Sequence, residues 1–258
     1  MVRKLWDMVS KSTHACSGYH GRKRRKPHRH QPENGHQMLQ AHSTRTKIVS
    51  CLAVLLAAVA TEARSAQWDG PFGLRQGLTP AEVGKVVSIR KLADSSMYSA
   101  DTVPVPDAAF VRYGLTFSAS SGLCAIVAMG PDKPSDGLGR SLKQDYQAIQ
   151  TKIVAGYGAP SREIDRLREG SKWTEARDYT MSIYWGDRAL TTIWRSDASR
   201  TLAASLQTIA LIAKAESPMT AELSVHYRFA NTGDCEAEAK AREASRPQPM
   251  KIPDMPAR

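Results

Sequence analysis

The sequence predicts a single α+β domain, an antiparallel sheet with helices packed on one face, and three patterns predict it. Leu223, Val225, Tyr227 and Phe229 alternate with Ser224, His226 and Arg228, the two-residue period of a half-buried strand. AFVRYGLTF and GLCAIVAMG, both rich in β-branched and aromatic residues, flank the short link SASS and read as a hairpin over 109–117 and 122–129. Leu138, Leu142, Tyr146, Ile149, Ile153 and Tyr157 step by three or four residues and so share one helical face. Hairpins plus an amphipathic helix make a layered domain in which the helix closes one side of the sheet.

The domain does not begin at residue 1. Residues 1–66 hold 12 Lys/Arg against 3 Asp/Glu, so most of the formal net charge of +11 lies in front. The high isoelectric point is therefore no argument that the folded part binds nucleic acid or membranes. Residues 1–37, with GRKRRKPHRH, lack apolar periodicity and are expected to be a disordered basic extension. Met38 offers an alternative start, which would make that extension a product of a wrongly chosen initiation codon. Residues 38–66 are expected to be a signal peptide. Ile48–Ala60, IVSCLAVLLAAVA, is 13 residues long, short of the roughly 20 that span a bilayer but suited to the apolar core of an export signal. Arg45 and Lys47 give the positive flank, and cleavage after Ala63 or after Ser65 satisfies the small-residue rule. A buried core helix or an uncleaved anchor is the alternative reading.

Residues 67–236 are expected to form the α+β domain. Thr79 caps a short helix ending near Val87, with Pro80 at its first position, Glu82 completing a capping box and Leu78 facing Val83 as a staple. Residues 101–107 make a loop, and the hairpin follows. The long helix runs from Leu138 to Ala155, stopped by Gly156, Gly158 and Pro160. Residues 162–168 read as a strand. The next stretch is ambiguous and is read as a helix over 177–186 with a strand over 189–195. A strand over 207–215, the turn ESPMT and the alternating strand complete the sheet. Residues 237–258 are expected to be a short helix, beginning near 236, and a disordered Pro-rich tail.

Several elements together resemble a group of uncharacterised exported bacterial proteins: FGLxxGLT (Phe72 to Thr79), GLC (Gly122 to Cys124), YGxP (Tyr157 to Pro160), WxE (Trp173, Glu175), RxLxxxW (Arg188, Leu190, Trp194) and YxFxN (Tyr227, Phe229, Asn231) with Cys235 after it. GLTxxEV alone is also similar to the first helix of small outer-membrane assembly lipoproteins. The chain departs from the group at Tyr179 and Thr180, where the pattern has a Trp-Met pair. The resemblance implies compartment and fold, and no activity.

In an oxidising compartment the remaining even pair, Cys124 and Cys235, is expected to form a disulfide, with two free buried thiols as the alternative. No CxxC is present for redox catalysis. No metal site and no cofactor are expected, since the domain offers one histidine and two cysteines. His226 alternates outward beside Arg228 and reads as a solvent-facing histidine. Glu175, Asp178 and Asp187 are the carboxylates for a hydrolytic reading, although Asp178 equally reads as a helix cap. Trp173, Glu175, Arg177, Asp178, Arg188 and Trp194 mark the stretch where a ligand groove is expected, with burial in the core as the other reading of Trp173, Trp185 and Trp194. The expectation is a periplasmic or secreted, non-enzymatic binding or accessory protein of the envelope. Its partner is an unknown envelope protein or ligand. No nucleic-acid binding by the mature domain and no stable membrane span are expected. The alternatives are a small periplasmic hydrolase and a cytoplasmic protein binding nucleic acid through residues 22–30.

Overall fold

The computed structural model describes residues 69–93 and 95–245. The leader, the basic extension and the Pro-rich tail lie outside the described residues. The described residues fall within one compact unit, and among them no helix is long and apolar enough to cross a membrane.

Nine strands form one antiparallel sheet: β1 (Arg90–Lys91), β2 (Met97–Ala100), β3 (Arg112–Ser118), β4 (Gly122–Met129), β5 (Lys133–Pro134), β6 (Arg162–Leu167), β7 (Arg188–Arg195), β8 (Leu206–Ser217) and β9 (Thr220–Phe229). Their order is β1-β2-β3-β4-β9-β8-β7-β6, with β5 pairing on β9. Among the described residues four α-helices accompany them: α1 (Pro80–Gly84), α2 (Arg140–Tyr157), α3 (Tyr179–Tyr184) and α4 (Thr232–Ala244). The expected α+β plan with an antiparallel sheet is the observed one.

Local chemistry accounts for the elements. Thr79 Oγ1 accepts from the Glu82 amide at 3.2 Å while Glu82 Oε2 accepts from the Thr79 amide at 2.7 Å, so the expected capping box starts α1. The helix stops at Gly84, earlier than expected. The α2 stripe is as read: Leu142, Tyr146, Ile149 and Ile153 are buried. Its start moves to Arg140, because Gly139 is left-handed at φ 63° and a Cβ there would stand 2.5 Å from the Tyr179 ring. The 177–186 segment is helical but shorter, with a 3₁₀ turn over Ala176–Asp178 leading into α3.

One sheet face carries the main core. Tyr113, Leu115, Ile126, Trp194, Ile209, Leu211, Val225 and Phe229 are buried in one cluster with the inner residues of α1, α2 and α3. Tyr146 Oη bonds Thr192 Oγ1 at 2.8 Å and donates to the Leu211 carbonyl at 3.3 Å, fixing α2 across β7 and β8. The last helix is placed differently. It begins at Thr232, not near 236, and Cys235 packs with Cys124 and Ala125 in a cluster of its own. Ala125 alternates with core-facing Ile126, so α4 lies over the opposite face.

That opposite face corrects the reading of His226. Its ring is half-buried, and Ser224 Oγ lies 3.2 Å from Nε2 with Ser224 itself only 1 % exposed. Desolvation, and then the charges of Lys214 and Arg228, push the imidazole pKa down to about 4. Alternation placed the side chain on the correct face, but small neighbours such as Ala210 and Ser224 let longer side chains close around it.

Candidate functional site

Asp187 organises the segment in which a ligand groove is expected. It sits between α3 and β7, 8 % exposed. Its Oδ1 pairs with Arg168 at 2.5 Å and its Oδ2 accepts from Ser171 Oγ at 2.8 Å. Its carbonyl accepts from the Arg168 amide at 2.7 Å. Ser171 Oγ in turn accepts from the Trp173 amide at 3.1 Å. One carboxylate thus holds the loop that delivers Trp173.

The same residue fixes the turn that delivers Trp185. The Trp185 amide donates to the Met181 carbonyl at 3.0 Å as α3 ends. Gly186 then takes a positive φ of 73°, a conformation glycine adopts without a Cβ clash, and the Asp187 amide donates to the Ser182 carbonyl at 2.8 Å. The two indoles come out parallel to within 9°, with centroids 6.5 Å apart. Tyr184 meets Trp185 edge-on at 5.3 Å. These are distances at which aromatic rings attract one another. Trp185 remains 59 % exposed and Tyr184 40 % exposed. The Lys172 ammonium stands 4.7 Å from the Trp173 ring centre.

The other expected groove residues do not all join this platform. Trp194 is fully buried, and its Nε1 donates to the Gly158 carbonyl at 2.9 Å, a core role. Arg188 pairs with Asp165 at 2.5 Å and stacks 4.5 Å from the Tyr179 ring centre, with the Lys143 ammonium 3.6 Å from the same centre. Tyr179 also donates to Asp165 at 3.2 Å, and burial first, then the Asp165 charge, raises its pKa. Glu175 and Arg177 form an exposed pair at 2.7 Å. Asp178 does not cap α3; its Oδ2 accepts from the Glu175 amide at 3.2 Å in the preceding turn. Glu175, Asp178 and Asp187 are thus each engaged with a different neighbour.

Cys124 and Cys235 stand at disulfide distance, with Cα atoms 6.5 Å apart and 111 residues between them in sequence. Around them α4 is fastened to the β3–β4 hairpin. Thr232 Oγ1 donates to the Cys124 carbonyl at 2.9 Å, and Asn231 Nδ2 to the Ser121 carbonyl at 2.9 Å. Glu238 accepts from Ser118 Oγ at 2.6 Å and from the Ala119 amide at 3.0 Å, contacts that hold its pKa below the usual carboxylate value. A groove of about 840 Å³ opens beside this junction, bordered by Tyr98, Phe117, Lys91, Glu238 and Arg242. A smaller cavity of about 120 Å³ lies between α2 and the 130–135 loop. Among the described residues no group of three or more His, Cys, Asp or Glu is placed to hold a metal ion.

The sequence offered the tryptophans but not their pairing. That pairing depends on Asp187, which reads in sequence as a candidate hydrolytic carboxylate and not as the anchor of two loops. Compared with protein-family models, with curated proteins and with solved structures, the chain finds no match.

Proposed function

We propose that this protein is an exported, disulfide-stabilised binding domain of the bacterial envelope that performs no catalysis of its own. The observation that carries this reading is the Cys124–Cys235 pair at disulfide distance, both residues 1 % exposed or less. Disulfides persist in oxidising compartments and are rare where thiol reductants dominate. The pair follows a segment patterned as an export signal and locks the final helix onto the sheet. The resemblance to exported bacterial proteins over 70–236 agrees with it.

The test is the intact mass of the protein from its native host, with and without reduction before thiol alkylation. The expected mass starts at residue 64 or 66, with alkylation only after reduction. A mass that begins at Met1 with freely reactive thiols removes the reading and turns attention to the basic segment, whose nucleic-acid binding would weaken steeply with salt.

A further inference from the structure

We propose that Trp173 and Trp185, with Tyr184, form a binding platform for a neutral saccharide. The proposal stands on the geometry of the platform and does not require the export reading.

Trp185 and Tyr184 are exposed at fixed positions, with Trp173 half-buried against Trp185. A flexible loop would fold its indoles inward to bury them. Here Asp187 pins both supports, so Trp185 keeps 59 % of its surface open. Rigid, preorganised aromatic surface is what a ligand site requires, since ordering costs are met during folding and not during binding.

The ring faces set the ligand chemistry. An indole face is the negative side of a quadrupole and attracts positively polarised groups. The Lys172 ammonium already lies 4.7 Å from the Trp173 ring centre. A pyranose ring presents such groups as a flat set of C–H bonds on one face, with hydroxyls around its edge. The Trp185 indole, stacked parallel to Trp173 to within 9° and 59 % exposed, offers a flat ring of matching shape. Lys172, beside the Trp173 ring, and Ser171, bonded to the Trp173 amide, stand next to it with polar groups for the hydroxyls.

Charge and composition separate the saccharide from other occupants. Residues 168–187 hold three Lys/Arg against four Asp/Glu, the wrong balance for a phosphate backbone, whose recognition requires excess positive charge. Tyr184 and Trp185 are the only large apolar residues of that segment among the exposed ones; the exposed aliphatics, such as Val86, Val105 and Val154, lie elsewhere in the chain. A protein interface would bring a broader apolar core.

The experiment is titration of the purified, oxidised protein with an N-acetylglucosamine tetramer and, separately, a glucose tetramer, followed by tryptophan fluorescence and calorimetry. Binding of at least one oligomer at up to millimolar concentration is expected, and the preferred one identifies the glycan source. Trp173→Ala and Trp185→Ala are each expected to weaken it by about tenfold or more, with the thermal midpoint of Trp185→Ala unchanged because its ring is exposed. Trp185→Phe retains a ring face and is expected to recover part of the loss. Absence of binding by either oligomer overturns the proposal. So does binding that both alanine variants leave intact, or Trp185-dependent binding of single-stranded DNA or a protein in place of sugar.

Discussion

His226 shows how one side chain ties stability to acidity. Its neutral form is favoured in the fold, where the pKa is pushed down to about 4, whereas an unfolded chain titrates near the ordinary imidazole value of 6.5. Well above pH 6.5 both states are neutral and the residue is silent. As pH falls from 6.5 toward 4 the unfolded state takes up the proton first, so stability drops, by at most about 3 kcal/mol. Urea unfolding at pH 7.5 and pH 5 is expected to show this loss, and His226→Gln is expected to reduce the difference. Glu222, on the same face, has its pKa raised mainly by burial and titrates in the opposite sense. The comparison with the variant isolates the imidazole. A steeper loss in His226→Gln would refute the assignment. Sequence alternation reveals which face a residue occupies but not what surrounds it, and for that reason the histidine read as solvent-facing. Trp194 read as a groove candidate for the matching reason: its burial depends on Gly158, 36 residues away in the chain.

Legibility follows the same logic among the elements. The capping box, the α2 stripe and the β9 alternation were visible because each is encoded by neighbours in sequence. The strands β1 and β5 have two residues each, all exposed, and exist only through their partners Tyr98, Ser99, Thr220 and Ala221. They leave no periodic trace. The placement of α4 was hidden as well, since its sequence is mostly Ala, Glu, Lys and Arg and it buries only Thr232 and Cys235. A helix with so little apolar burial is held by specific bonds. Glu238→Gln removes the charge from the contacts to Ser118 and Ala119. It is expected to cost about 1 kcal/mol and to speed amide exchange within α4 while that of α2 is unchanged. Equal acceleration in both helices would show that α4 does not open on its own.

At the scale of the whole molecule the cysteine pair dominates the balance. As a disulfide it closes a loop of sequence separation 111, worth about 4–5 kcal/mol in the chain-entropy model. That is a large share of the roughly 5–15 kcal/mol that keeps a domain folded. The double variant Cys124→Ser, Cys235→Ser is expected to lower the urea midpoint by a corresponding amount. A midpoint equal to that of the oxidised parent would mean that the cross-link contributes no stability. The aromatic platform lies at one end of the strand order, beside β6 and β7 and away from the central β4 that carries Cys124, so its structure is expected to survive loss of the cross-link.

The strand order also constrains how the molecule comes together in time. Hairpins β3–β4 and β8–β9 join neighbours in sequence, but the centre of the sheet is the pairing of β4 with β9, where Ala125 meets Arg228. Local pairs close early and distant ones late, because chain-closure entropy opposes them until other contacts are in place. A chain made from its N-terminus therefore carries β4 with an open edge until β9, about 90 residues later, has appeared. Such an edge invites strands from other molecules. Cys124 lies on β4 and Cys235 just beyond β9, so the covalent link, once formed, spans this late seam and prevents the two halves from parting to expose that edge again.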